Sequence, residues 1–139
     1  MELDLAEVNY LAVIAAIVVN MIVGAVWYSP LLFARPWMAA NGFTEEQIKA
    51  QGSATRGYIV SIIASIVIAF AIALFAQAAG ADAAINGLLL GLAAGVGFVA
   101  TTSAANYIFE SRPLKLYLIN SGYPVVSFTL IGLLIGAWQ

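Results

Sequence analysis

Four long apolar runs alternate with shorter polar stretches along the chain. Each run is long enough to cross a hydrocarbon core of about 30 Å as a helix, and none carries Asp, Glu, Lys or Arg in its interior. Ser29-Pro30 ends the first run, because proline disfavours helical geometry in the residue before it. Asp82 precedes the third run as a good N-cap residue. The pattern predicts an all-α integral membrane protein, a bundle of four transmembrane helices in one domain, over about residues 8–28, 57–79, 83–109 and 114–138.

The connection over residues 29–56 is the only sizeable one. Thr44 and Gln47 have the spacing of a capping box, so a short helix is expected to begin there. Residues 30–33 and 36–38 are too apolar for a free loop and predict a short amphipathic segment at the membrane interface. Two roles remain open for this segment: an anchor that closes the floor of the bundle, or a lid or partner-docking surface.

Composition agrees with the pattern and sets the orientation. The 139 residues are 63% hydrophobic and 9% charged, more apolar surface than a soluble domain of this size can bury. The net charge of −2 gives no reason to expect a nucleic-acid partner. All basic residues fall on one side of the predicted bundle, which the positive-inside rule makes cytoplasmic. We therefore expect both termini on the non-cytoplasmic side. The basic residues are Arg35, Lys49, Arg56, Arg112 and Lys115.

The chain has no Cys and no His. Disulfides, thiol redox chemistry, Cys or His metal sites and the usual haem ligands are thereby removed. Nucleophilic catalysis by Ser-His or Cys-His pairs is impossible, and no carboxylate, Lys, Arg or His lies in the interior of a predicted span to relay protons. The sequence predicts a non-enzymatic protein with no catalytic residue, cofactor or metal.

Small residues at a spacing of four mark helix faces that can approach closely in lipid. They occur on every predicted span, and the third span carries a double GxxxG. Two arrangements are open: all the stripes pack inside one bundle, or one faces outward and pairs with another copy or another protein. The glycines predicted to mediate packing are Gly87, Gly91, Gly95, Gly132 and Gly136.

Polar side chains inside the predicted spans need partners, so they are expected to face protein, a cavity or the interface. In the fourth span, Pro124 removes the helical hydrogen bond to the carbonyl of Asn120, and a kink is expected there. The freed carbonyl could bind a polar ligand or a cation, or could be satisfied by a side chain of the third span. The candidate intramembrane site comprises Asn20, Thr102, Asn106, Asn120 and Tyr123.

Three segments resemble a known family. The first is Trp-Tyr-Ser-Pro-Leu-Leu-Phe at residues 27–33, followed by Trp37 and Gly42. The second is residues 106–115, Asn-Tyr-Ile-Phe-Glu-Ser-Arg-Pro-Leu-Lys, and the third is residues 118–123, Leu-Ile-Asn-Ser-Gly-Tyr. Together they resemble the bacterial "domain of unknown function 1761" proteins over nearly the whole chain. The resemblance implies a small four-helix protein of the bacterial inner membrane and supplies no catalytic residues.

Two functional hypotheses follow. The first is a membrane subunit that works through helix–helix association, as an accessory subunit of a larger membrane complex or as a homo-oligomer. It depends on the packing stripes and on the absence of reactive side chains. The alternative is a small channel or facilitator for a neutral or weakly polar solute, which predicts a continuous polar cavity within one protomer or along an oligomer axis.

Overall fold

The computed structural model describes residues 2–52 and 54–139. The described residues are helical with no strand, and four helical stretches are long and apolar enough to span a membrane. A proline-free interior lets the first three stretches form, and the fourth continues through Pro124 without interruption. The elements are a 3₁₀ turn at Leu5–Glu7, α1 at Tyr10–Trp27, α2 at Ala34–Asn41, α3 at Glu45–Ala50, α4 at Ala54–Ala79, α5 at Ala84–Ala94, a π-helical segment at Gly95–Ala100, α6 at Thr101–Phe109, and α7 at Leu114–Ala137.

Helix α7 lies at the centre and packs against α1, α4 and α5. Both termini lie at the same end of the bundle, which we call the termini end. There the side-chain amide of Asn9 donates to the carbonyl of Trp138 at 2.6 Å. The Gln77 amide also pairs with the backbone of Asp4, at 3.1 and 3.0 Å. The opposite end carries α2, α3 and the turn between α6 and α7, and with them all five basic residues; we call it the basic end.

Glycines bring α5 and α7 into backbone contact. A Cβ atom on Gly87 would overlap the carbonyl group of Gly132 in α7, and one on Gly91 would overlap that of Phe128. The other three predicted packing glycines lie in the same interface. A Cβ on Gly132 would overlap the carbonyl of Gly87, one on Gly136 would lie 2.5 Å from the Ala83 carbonyl oxygen, and one on Gly95 would lie 2.8 Å from the Cα of Val125. These five glycines therefore face each other within one protomer.

The third long helix is not uniformly α-helical, a feature that the sequence pattern did not predict. A π-helical segment at Gly95–Ala100 joins α5 to α6. Side-chain hydroxyl groups add hydrogen bonds to the backbone carbonyl groups of this segment. The Thr101 hydroxyl donates to the carbonyl of Val96 at 2.7 Å, and the Tyr117 hydroxyl of α7 donates to that of Ala100 at 2.8 Å.

Of the two helix caps predicted from the sequence, one forms and the other does not. Thr44 and Gln47 form the expected capping box at the start of α3. The expectation that Asp82 caps the third long helix is wrong, because α5 begins at Ala84 with Ala83 as its N-cap residue and no side-chain cap. The amide of Asp82 instead donates to the carbonyl of Gly80, whose φ is 62°. This turn places Asp82 one residue too early to cap.

The space between α1, α4 and α7 is filled at the termini end and opens to the side of the bundle towards the basic end. Between α1, α4 and α7 the termini half is filled by small and branched apolar side chains, among them Ala16, Ala69 and Ile131, each with 0% of its surface exposed. Towards the basic end α4 leans away, and every residue from 54 to 64 is exposed. The space left by this divergence contains the main polar groups of the bundle.

Candidate functional site

A buried polar centre connects three helices in the middle of the bundle. The Asn20 amide nitrogen donates to the Ser65 hydroxyl of α4 at 2.6 Å, and its side-chain oxygen accepts from the Ser127 hydroxyl of α7. All three side chains are buried, and the Ser65 hydroxyl also donates to the carbonyl of Ser61. Among the described residues, no buried side-chain nitrogen or oxygen lacks a partner. The centre is thus internally satisfied, as a structural cross-link between α1, α4 and α7 requires.

A second polar group lies nearer the basic end, around Asn120 of α7. Its side-chain oxygen accepts from the Tyr28 hydroxyl at 2.9 Å, and its nitrogen donates to the Tyr107 hydroxyl at 2.7 Å. Asn120 therefore joins the end of α1 to α6. Burial, with Tyr107 and Tyr123 nearby, raises the pKa of Tyr28, which follows the last residue of α1, to about 12. Its hydroxyl therefore stays protonated, and able to donate, to a higher pH than that of an exposed tyrosine.

The Trp27 side chain is hydrogen-bonded to the neighbouring turn of α7. Its indole nitrogen donates to the carbonyl of Ile119 at 2.8 Å. This carbonyl lies next to that of Asn120, which receives no helical hydrogen bond because Pro124 has no amide hydrogen. A Cβ on Gly122 would lie 2.8 Å from the Trp27 ring, so glycine provides the space in which the indole lies. The three segments that carry the family resemblance therefore meet at one place, through Trp27 and Tyr28 of the first, Tyr107 of the second and residues 119–123 of the third.

A cavity of about 340 Å³ occupies the opening between α1, α4 and α7. The buried centre lies at its inner limit, since Asn20 lines it. Hydroxyl groups and aromatic rings form much of the rest, and the described lining includes no charged side chain. The residues that give the cavity its polar and aromatic character are Asn20, Tyr28, Tyr58, Ser61 and Tyr123.

A second cavity, of about 510 Å³, lies on the other side of Tyr28 and Asn120. Its outer wall combines Trp37 and Met38, from the segment predicted to be amphipathic, with Ile48 of α3. The Trp37 ring lies 6.1 Å from that of Tyr28, edge to face. Helix α2 thus closes the basic end against α7 and leaves a mostly apolar space beneath it.

The five residues of the candidate intramembrane site do not form one group. Asn20 and Tyr123 are close, since the Tyr123 hydroxyl donates to the backbone carbonyl of Asn20 at 3.3 Å, and Asn120 lies next to them through Tyr28. Thr102 and Asn106 are exposed on the outer surface of α6 and take no part. The Asn120 side chain is bound by tyrosines rather than by either of these two residues.

Sequence reasoning missed two members of the buried centre and the two outer hydroxyls of the cavity. Ser127 lies four residues after Tyr123, so helical spacing from a polar residue already identified would have found its hydroxyl. Ser65 lies on the second span, which carries no candidate site residue, so no such spacing pointed to it. Tyr58 offered no such signal, because it reads as an interfacial aromatic at a helix start. The described residues contain no group of three or more His, Cys, Asp or Glu side chains able to hold a metal ion.

Comparison with known proteins gives a family and no characterised relative. No curated protein matches the chain, and no solved structure matches it. The match to a family model covers residues 11–136, which include every residue of the site and all of the four long helices except the first residue of α1 and the last of α7. The chain therefore belongs to the family described as "Protein of unknown function (DUF1761)".

Proposed function

We propose that this protein is a non-enzymatic subunit of the bacterial inner membrane that works through helix–helix association. Its partner is either a larger membrane protein, to which it is an accessory subunit, or further copies of itself. The basic end faces the cytoplasm and both termini face the opposite side, because the positive-inside rule places Lys and Arg in cytoplasmic loops. The four apolar helices and the grouping of basic residues at one end support this placement.

The observation that carries the proposal is the outer face of α6. Thr102 and Asn106 are exposed there, and neither side chain has a hydrogen-bond partner among the described residues. In hydrocarbon, an amide or hydroxyl without a partner is unfavourable, and such groups commonly pair across helices of neighbouring chains. None of the nine residues of α6 is buried, so this helix presents an uncovered face at the basic end.

The predicted packing glycines do not supply the association surface. Because Gly87, Gly91, Gly95, Gly132 and Gly136 lie between α5 and α7, they are occupied within the protomer. Substituting Gly91 or Gly95 by leucine would separate these helices and damage the fold itself. Loss of assembly in such a variant would therefore not distinguish association from folding, and a test must use outward-facing residues.

The test is the mass of the particle extracted gently from the native membrane, with its co-purifying proteins identified. We expect a defined complex for the native chain and dissociation in a Thr102→Val, Asn106→Leu double variant. Asn86→Leu is the matched control, because Asn86 is also an exposed amide on the same long stretch but lies near the termini end. A monomer without partners in the native chain, or a double variant that assembles like the control, would contradict the proposal.

The channel or facilitator alternative has less support. A pathway through one protomer would have to pass the termini half, where Ala12, Ala16, Ala69, Ile131 and Ile135 fill the space between α1, α4 and α7 with at most 1% of their surface exposed. The polar cavity ends at Asn20 and is open on one side. A route along an oligomer axis remains a hypothesis, and solute flux in reconstituted vesicles, compared between the native chain and Asn120→Leu, tests it.

A further inference from the structure

The cavity between α1, α4 and α7 contains hydroxyl groups that the protein itself does not use. Within the described chain, the side chains of Tyr58 and Ser61 make no hydrogen bond. The Tyr123 hydroxyl has only the long 3.3 Å contact to the carbonyl of Asn20. This differs from Asn20, Ser65 and Ser127, whose polar atoms are paired with one another. The cavity therefore offers three donors for a ligand that brings acceptor oxygens.

The position of the opening indicates where a ligand would come from. Ala25, Tyr58 and Ser61 line the cavity and are exposed on the side of the bundle, between α1 and the diverging half of α4. Ser61 lies seven residues after the start of α4, which corresponds to about 10 Å of helix. In a membrane-inserted bundle this depth lies within the bilayer on the basic side, so the cavity opens towards lipid tails rather than only to water.

The lining selects a neutral ligand. Its described residues include no charged side chain, so neither an anionic nor a cationic group would find a counter-charge there. Aromatic rings of Tyr28, Tyr58 and Tyr123 provide flat apolar walls beside the hydroxyl donors. A volume of about 340 Å³ is near the lower limit of small-molecule sites, enough for a single ring or a headgroup but not for a whole lipid.

We propose that this cavity binds the neutral, oxygen-bearing head of a lipid-phase molecule, whose acceptor oxygens receive hydrogen bonds from Tyr58, Ser61 and Tyr123. Two sources share this chemistry, the ring carbonyls of a quinone and the ester carbonyls of a neutral glyceride. In either case the apolar tail leaves between α1 and α4 into the bilayer. The binding site does not depend on association through α6, and a monomer retains it.

The test uses the full chain in lipid nanodiscs and two probes, a short-tail ubiquinone and dioctanoylglycerol, each measured by equilibrium binding against empty nanodiscs. We expect saturable binding of one of them. A Tyr58→Phe, Ser61→Ala double variant should weaken its Kd by at least about tenfold, since each neutral hydrogen bond contributes roughly fivefold. Tyr10→Phe is the matched control, because it removes a tyrosine hydroxyl at the other end of α1.

A second variant blocks the cavity without disturbing the core. Ala25 is an exposed cavity residue, so Ala25→Leu fills the entrance and should abolish saturable binding, whereas Ala84→Leu, an exposed site at the start of α5, should not. Saturable binding of the quinone alone or of the glyceride alone supports the proposal and identifies the source. Binding of neither probe, or binding that survives Ala25→Leu, overturns it, and a preference for an anionic phospholipid over both probes would also overturn it.

Discussion

The contact between α5 and α7 makes Gly91 the position where one methyl group should matter most. In Gly91→Ala the added Cβ would overlap the carbonyl oxygen of Phe128, and would lie 2.7 Å from its carbonyl carbon and 3.1 Å from the Cα of Thr129. These are backbone atoms, so no side-chain rotation can relieve the overlap. The two helices would have to separate until the carbon atoms reach an ordinary contact of about 3.5 Å.

The size of the effect follows from that separation. A gap of about 0.5–1 Å already removes a quarter to a half of the dispersion attraction of each contact across an interface. The loss extends to the Gly87–Gly132 contact, one turn away, because α5 moves as a rigid rod. Overpacked sites typically lose about 1–3 kcal/mol. With rigid backbone on both sides, we expect Gly91→Ala to reduce the free energy of unfolding by about 3 kcal/mol.

Gly97→Ala is the matched control. It introduces the same change in the same long helical stretch, but a Cβ on Gly97 has no heavy atom within 4 Å. Alanine is favoured over glycine within a helix, so this variant should be neutral or more stable by up to about 1 kcal/mol. The assay is unfolding of the purified protein by SDS in mixed micelles, followed by tryptophan fluorescence. Equal stability of the two variants would refute the inference that the glycine interface holds α5 against α7.

Three further changes test the polar contacts. Asn20→Val removes the link between two buried serine hydroxyls, and we expect it to reduce the free energy of unfolding by about 1–2 kcal/mol in the same assay. Gly122→Ala would push the Trp27 ring, which lies 2.8 Å from the new Cβ, and should change the tryptophan emission spectrum; an unchanged spectrum would argue against this contact. Tyr28 has a raised pKa because of burial, so the folded protein holds this proton when the unfolded chain has lost it, and stability should fall as the pH rises from about 10 to about 12. A Tyr28→Phe variant should lack that part of the fall, as measured by the SDS midpoint at each pH.

The number and extent of the long helices could be predicted from the sequence because each is an uninterrupted apolar run. The predicted and observed ends differ by three residues or fewer, as for the second run, predicted over residues 57–79 and observed as Ala54–Ala79. The stripes of small residues were also visible, since close approach of two helices needs glycine or alanine at a spacing of four. The π-helical segment was not predicted, because its stabilising donors include Tyr117 of another helix.

The inward or outward direction of each polar side chain depended on the tertiary structure. Asn20 and Asn106 are both amides within apolar runs, yet one is buried and bonded on both sides while the other is exposed. A helix that is apolar all round carries no periodic signal for the face it buries, in contrast to an amphipathic surface helix. For the same reason the sequence could not show whether the glycine stripes face each other or a partner.

The sequence by itself determined that the chain is a set of four apolar helices, with basic residues at one end and without Cys or His. These properties depend only on composition, run length and position along the chain. The tertiary structure decided that α5 and α7 pack against each other through the glycines, and that Asn120 joins Tyr28 to Tyr107. It also decided that a cavity opens between α1, α4 and α7. Such features depend on which helix faces which, a choice set by close packing between segments far apart in sequence.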